Sequence, residues 1–137
     1  LKKQISQVNK TRPLFIGGKS MGGRMASLIA DEIKPTGLIC LGFPFHPPGK
    51  DPKQRIEHLR TINTPTLICQ GSKDPFGTKT DVESYSLSSQ IELCWFENTG
   101  HDLLLPKTKS PLSQHSQLIG IADKIQEFIQ KYSALST

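Results

Sequence analysis

At 137 residues the chain has room for one domain with a modest core and none for a separate substrate domain. Hydrophobic residues at 35% and charged residues at 21% fit a globular protein, and no apolar run approaches bilayer length, so no membrane partner is expected. The net charge of +5 comes from basic residues spread along the chain without interleaved aromatics, a distribution that argues against nucleic acid as a partner.

In chain order, Leu1, Ile5 and Val8 stand at helical spacing, and Lys10 to Pro13 break that pattern before a short apolar strand, Leu14 to Gly17. The first twelve residues are polar and lysine-rich without the apolar segment of a secretory leader, so a cytoplasmic location is expected. Asn9-Lys10-Thr11 matches a glycosylation acceptor, a short pattern that arises often by chance and matters only in a secreted protein. The strand runs into Gly18-Lys19-Ser20-Met21-Gly22, and a helix with Met21, Met25, Leu28, Ile29 and Ile33 on one face follows. A G-x-S-x-G string between strand and helix has the form of a nucleophile elbow, a sharp turn that pushes the serine hydroxyl out above the sheet. Gly18 and Gly22 are expected to remove side chains that would collide with the strained turn. A glycine-rich turn with a serine cap is the plainer alternative. A phosphate loop is excluded, because Pro13 stands where its first glycine is needed.

Lys34, Pro35 and Gly37 stop the helix, and Leu38 to Gly42 reads as a second buried strand. Phe43 to Pro52 is a proline-rich loop, either part of a site mouth or a surface excursion. A weak helical segment, Arg55 to Ile62, ends at Asn63-Thr64-Pro65. The third strand, Thr66 to Gly71, repeats the Leu-Ile-Cys of the second, as neighbouring strands under one packing demand would. The loop Ser72 to Gly77 leads to a helix over Thr80 to Tyr85, and a fourth strand, Ile91 to Phe96, is followed by Glu97 to Asp102. After a loop from Pro106 to Pro111, the stripe Leu118, Ile121, Ala122, Ile125, Phe128, Ile129 and Tyr132 defines a final helix, with Ser113 or Ser116 as its cap. Short, uniformly apolar strands alternating with helices specify an α/β fold, a parallel doubly wound sheet covered on both faces. Cys40, Cys69 and Cys94 fall within those strands and read as small buried side chains in a reducing compartment. No C-x-x-C or H-x-x-x-H spacing occurs, so no metal is expected.

Sites in such sheets form at the carboxyl ends of the strands. Ser20 follows the first strand, Asp74 the third and His101 the fourth, in the order that a serine hydrolase of this sheet type requires. Ser20 would attack a carbonyl carbon, His101 would take its proton, and Asp74 would hold the imidazole tautomer. The backbone N–H of Met21 would be one oxyanion donor. Each assignment has a plainer alternative: Asp74-Pro75 is also a turn initiator, and His101 could cap a loop or pair with Asp102. His46 and His58 precede the acid in the chain, and His115 lies beyond a long loop, so none of them fits the order as well.

The segments 17–24, 42–47, 69–77 and 100–103, that is Gly-Gly-Lys-Ser-Met-Gly-Gly-Arg, Gly-Phe-Pro-Phe-His-Pro, Cys-Gln-Gly-Ser-Lys-Asp-Pro-Phe-Gly and Gly-His-Asp-Leu, resemble the α/β-hydrolase superfamily. The closer resemblance is to its dienelactone-hydrolase-like group of predicted hydrolases, in the branch with the hydrolase-like regulatory subunit 3 of a chromatin acetyltransferase complex. Ser20 stands where dienelactone hydrolases carry a cysteine, so their substrate is not carried over. In the superfamily the nucleophile follows the fifth of eight strands. The resemblance therefore implies that residues 1–137 form one domain corresponding to the C-terminal half of the fold, about four strands, without the N-terminal strands and the loop that gives the second oxyanion donor.

The expected activity is that of a serine hydrolase of esterase or thioesterase type on a small-molecule ester or thioester, with no cofactor and no metal. Phe43, Phe45, Phe76 and Leu103 are the candidates for the substrate mouth. The alternative is a hydrolase-like interaction or scaffold module that does no chemistry. With the outer edge of the Leu14 strand unpaired and Leu1, Ile5, Val8, Met25 and Leu28 short of apolar cover, the chain is expected to be a homo-oligomer or to bind the N-terminal half of the same fold.

Overall fold

Largely apolar strands need cover on both faces, and four of them here form a single parallel sheet in the order β1-β2-β3-β4. The computed structural model describes residues 12–49 and 53–135. The expected helix through Leu1, Ile5 and Val8 lies outside the described residues. The strands are β1 (Phe15–Lys19), β2 (Gly37–Leu41), β3 (Thr66–Gly71) and β4 (Ile91–Phe96). Between and after them come α1 (Met21–Ile33), α2 (Lys53–Ile56) continued by a 3₁₀ turn over Glu57–Arg60, α3 (Lys79–Glu83) and α4 (Pro111–Leu135).

Alternation along each strand sends side chains to two cores. Ile16, Leu38, Cys40 and Ile68 point into one, together with Ala26 and Ala30 of α1, Ile56, Leu59, Ile62 and Val82. Leu67 and Cys69 point into the other, with Ile121 and Phe128 of α4 and the partly buried Phe15, Ile39, Leu41, Cys94 and Phe96. The three strand-to-strand connections thus pack on one face, and among the described residues α4 alone covers the other. A strand order that advances without reversal demands this arrangement when every crossover has the same hand.

The register brings the carboxyl ends to one edge: Lys19 pairs with Leu41, Leu41 with Cys69, and Cys69 with Cys94. Pairing extends past the strand ends, with Ser20 N–H donating to Leu41 O at 2.8 Å, Gly42 N–H to Cys69 O at 2.9 Å and Ser72 N–H to Phe96 O at 3.0 Å. The loops that carry the candidate residues are therefore anchored where they leave the sheet.

Several local expectations need correction. The first strand continues to Lys19, because Gly17 lets the β2 backbone approach so closely that a Cβ there would lie 2.1 Å from Ile39 O. Helix α1 turns the opposite face to the sheet: Gly23, Ala26, Ser27 and Ala30 are buried, while Met21, Met25 and Leu28 stay 47%, 53% and 47% exposed. Small residues at that spacing let α1 lie close on the strands, which the larger apolar stripe would have prevented. Helix α4 begins before Ser113 and Ser116. Ser110 caps it, with its Oγ accepting from Ser113 N–H at 3.1 Å and Pro111 as the first helical residue. Its buried line is Ile121 and Phe128 with Ile125 and Tyr132 beside them, leaving Leu118 and Ala122 exposed.

Candidate active site

Ser20 stands between the last residue of β1 and the first of α1 with φ 52° and ψ −120°, a conformation unfavourable for a residue with a side chain. The first intrahelical bond runs from Arg24 N–H to Ser20 O at 3.1 Å, so the amides of Met21, Gly22 and Gly23 precede the helical ladder at the positive end of α1. The turn is tight on one side. A Cβ on Gly18 would lie 2.6 Å from the Gly22 carbonyl carbon, and one on Gly23 would lie 2.7 Å from Gly18 O and 3.3 Å from Cys40 Sγ. Gly22 itself faces open space, so the crowding assigned to it from the sequence falls on Gly23.

Asp74 sits in the turn after β3, closed by Gly77 N–H to Asp74 O at 3.0 Å, and is fully buried. A buried carboxylate requires donors, and three reach it. Phe76 N–H donates to Oδ1 at 2.8 Å, while Gln70 Nε2 and His101 Nδ1 meet Oδ2 at 3.0 and 2.7 Å. Because a carboxylate only accepts, Nδ1 of His101 carries a proton, and in the neutral imidazole Nε2 then holds the lone pair. That lone pair faces the hydroxyl of Ser20, with Oγ to Nε2 at 2.8 Å. The three residues named from the sequence thus form one continuous hydrogen-bonded line, although 81 positions separate the serine from the histidine.

Two glycines admit the histidine loop. A Cβ on Gly42, which has φ 67°, would lie 2.5 Å from His101 O. One on Gly71 would lie 2.2 Å from Thr99 O and 2.4 Å from Gly100 O. The glycine shared by the ends of the second and third strands is the sequence signal for this close approach. Phe76 lies against the imidazole, ring centroids 4.5 Å apart, and is the candidate of the four mouth residues found beside His101. Phe43 and Phe45 are instead fully buried, packed on each other with centroids 4.8 Å apart, because the loop after β2 turns inward. Leu103 is also buried, its side chain drawn into the α4 core by a backbone at φ 62° and a turn bond from its N–H to Gly100 O.

Other reactive side chains are occupied elsewhere. Burial pushes the Cys40 and Cys69 thiols up to about 12, which keeps them protonated and inert. Ser27 also meets a histidine, with Oγ 2.8 Å from His58 Nε2, but its hydroxyl donates to Arg24 O at 2.6 Å. Among the described residues no group of three or more His, Cys, Asp or Glu side chains is placed to hold a metal ion. Gln70 and Ser27 were missed by sequence reasoning, since neither periodicity nor chain order marks a buried polar partner.

A family model described as an alpha/beta hydrolase domain matches residues 1–130. Among solved structures, an alpha/beta serine hydrolase without a lid from Xanthomonas campestris superposes with TM-score 0.66 at 19% identity, over 96% of this chain and 53% of that one. An alpha-beta serine hydrolase homologue from Coxiella burnetii gives 0.58 at 18% identity, over 85% of this chain and 48% of that one. A serine hydrolase involved in carbazole degradation gives 0.67 at 14% identity, over 94% and 68%. The chain spans about half the length of the first two, and likeness at these identities speaks for the fold.

Proposed function

The chain belongs to the alpha/beta hydrolase domain family, and from that premise we propose that Ser20, His101 and Asp74 are the triad of a serine hydrolase of esterase or thioesterase type. The observation that carries the reading is the line Ser20 Oγ, His101 Nε2, His101 Nδ1, Asp74 Oδ2, with links of 2.8 and 2.7 Å. In it the serine proton has one path, to Nε2 as Oγ attacks the ester or thioester carbonyl. The imidazolium so formed is stabilised by Asp74 and returns the proton to the leaving alcohol or thiol. Water, deprotonated by the same nitrogen, then releases the acid from the acyl-enzyme. The Met21 N–H at the start of α1 is one donor to the developing oxyanion. Phe76 forms one wall against the imidazole.

The segments around Ser20, Asp74 and His101 support placement in the dienelactone-hydrolase-like branch, with serine in place of its cysteine. The edge of β1, which no strand pairs among the described residues, and the exposed Met25 and Leu28 support an assembly in which a second copy, or the N-terminal half of the same fold, completes the sheet. Turnover of an activated ester tests the chemistry. His101→Ala and Asp74→Asn are expected to lower kcat by roughly 10⁴-fold while the protein stays folded. Undiminished turnover in either variant would assign that role to another residue.

A further inference from the structure

Gln70 takes no part in the proton path proposed for Ser20, yet its side chain joins the two loops around it. It lies in β3, wholly buried, one residue before the glycine that admits the histidine loop. Its Oε1 accepts from Phe43 N–H at 2.7 Å. Its Nε2 faces acceptors only: Asp74 Oδ2 at 3.0 Å, Phe43 O at 3.1 Å and Gly77 O at 3.2 Å. A donor at one end and acceptors at the other leave the amide a single orientation.

The consequence falls on one atom. Asp74 Oδ2 receives Gln70 Nε2 and His101 Nδ1 together, while Oδ1 is held by Phe76 N–H at 2.8 Å. Without Gln70, the carboxylate could rotate about its terminal torsion, a broad and soft one, while keeping a single backbone donor. We propose that Gln70 is a positioning residue that locks the Asp74 carboxylate on the imidazole of His101 and fastens the loop after β2 to the loop of the acid. Its effect on rate rests on the triad reading, whereas its effect on the geometry of the Asp74–His101 pair does not.

Two measurements on the full 137-residue chain separate these. The first is the proton resonance of His101 Nδ1–H, identified by its loss in His101→Ala. Gln70→Met, close in volume and without polar hydrogens, is expected to move or broaden it. The second is the rate at which a fluorophosphonate labels Ser20. That rate is expected to fall up to about 100-fold in Gln70→Met, as a displacement of about 1 Å in a reacting group costs. In an Asp74→Asn background the same change is expected to add little, because the two residues act through one contact. Gln70→Asn keeps the amide but withdraws it by one methylene, and it carries the same expectation should the methionine variant fail to fold. An unchanged resonance and labelling rate in either folded variant overturn the proposal. A resonance that responds to Gln70 in a chain whose Ser20 takes up no probe upholds the positioning role and overturns the hydrolase reading instead.

Discussion

Two serines meet a histidine ring nitrogen at 2.8 Å, and what separates them is where each hydroxyl proton goes. Ser27 gives its proton to Arg24 O within its own helix, so His58 Nε2 must be the donor and Ser27 is held as an acceptor. Ser20 faces a nitrogen whose partner across the ring is committed to Asp74, so the hydroxyl donates and the lone pair is ready to accept its proton. Gly42 decides whether that ring stays in place. Gly42→Ala adds a methyl 2.5 Å from His101 O at a φ of 67°, and it is expected to cost about 1 kcal/mol or more and to slow labelling of Ser20. Chemical melts with parallel labelling kinetics check this, and wild-type values for both would contradict it. Chain order exposed Ser20, Asp74 and His101 because each follows an apolar strand. Gln70 and Ser27 lie inside elements, where only the folded packing reveals which buried polar atoms meet.

The first three strands were legible because apolar runs bounded by glycine and proline have few other uses, and the fourth, Ile91–Phe96, because it is apolar apart from Glu92 and stands between polar segments. Helix α1 was legible as a helix but not in its orientation. Gly23, Ala26, Ser27 and Ala30 follow the same 3.6 spacing as the larger apolar residues, and the close approach to the sheet selects the small ones. That face of α1 is tied to the 3₁₀ turn by Ser27 and His58, and to the start of β3 by Asp31, which accepts from Asn63 N–H, Thr64 N–H and the Thr64 hydroxyl. Burial first, then the Arg24 guanidinium, pushes the His58 ring below its ordinary value of 6.5, with Asp31 opposing. A histidine lowered in the folded state contributes stability that is present above its unfolded value and is lost as pH falls through the folded one. Thermal melts between about pH 7.5 and 5 are therefore expected to decline more steeply for the wild type than for His58→Gln, which cannot take up that proton. Equal slopes would contradict the tie.

Across the molecule, the sheet has one edge at β1 with no strand beyond it among the described residues, next to an apolar recess of about 190 Å³ lined by Phe15, Ile16, Gly17, Gly18, Ile39 and Leu41. Beside it α1 exposes Met21, Met25 and Leu28, while no helix among the described residues is long and apolar enough to cross a membrane. An apolar edge of this kind is a template for another strand, so the proposed assembly is expected to appear as concentration-dependent light scattering and slow amide exchange at Phe15 and Ile16. A monodisperse monomer with fast exchange at both amides would contradict it. The chemistry is tested most directly by mapping where a fluorophosphonate attaches. A single adduct on Ser20 is expected, with none on Ser27 and no adduct at all in Ser20→Ala. An adduct elsewhere, or equal labelling of the alanine variant, would contradict the assignment of Ser20 as nucleophile.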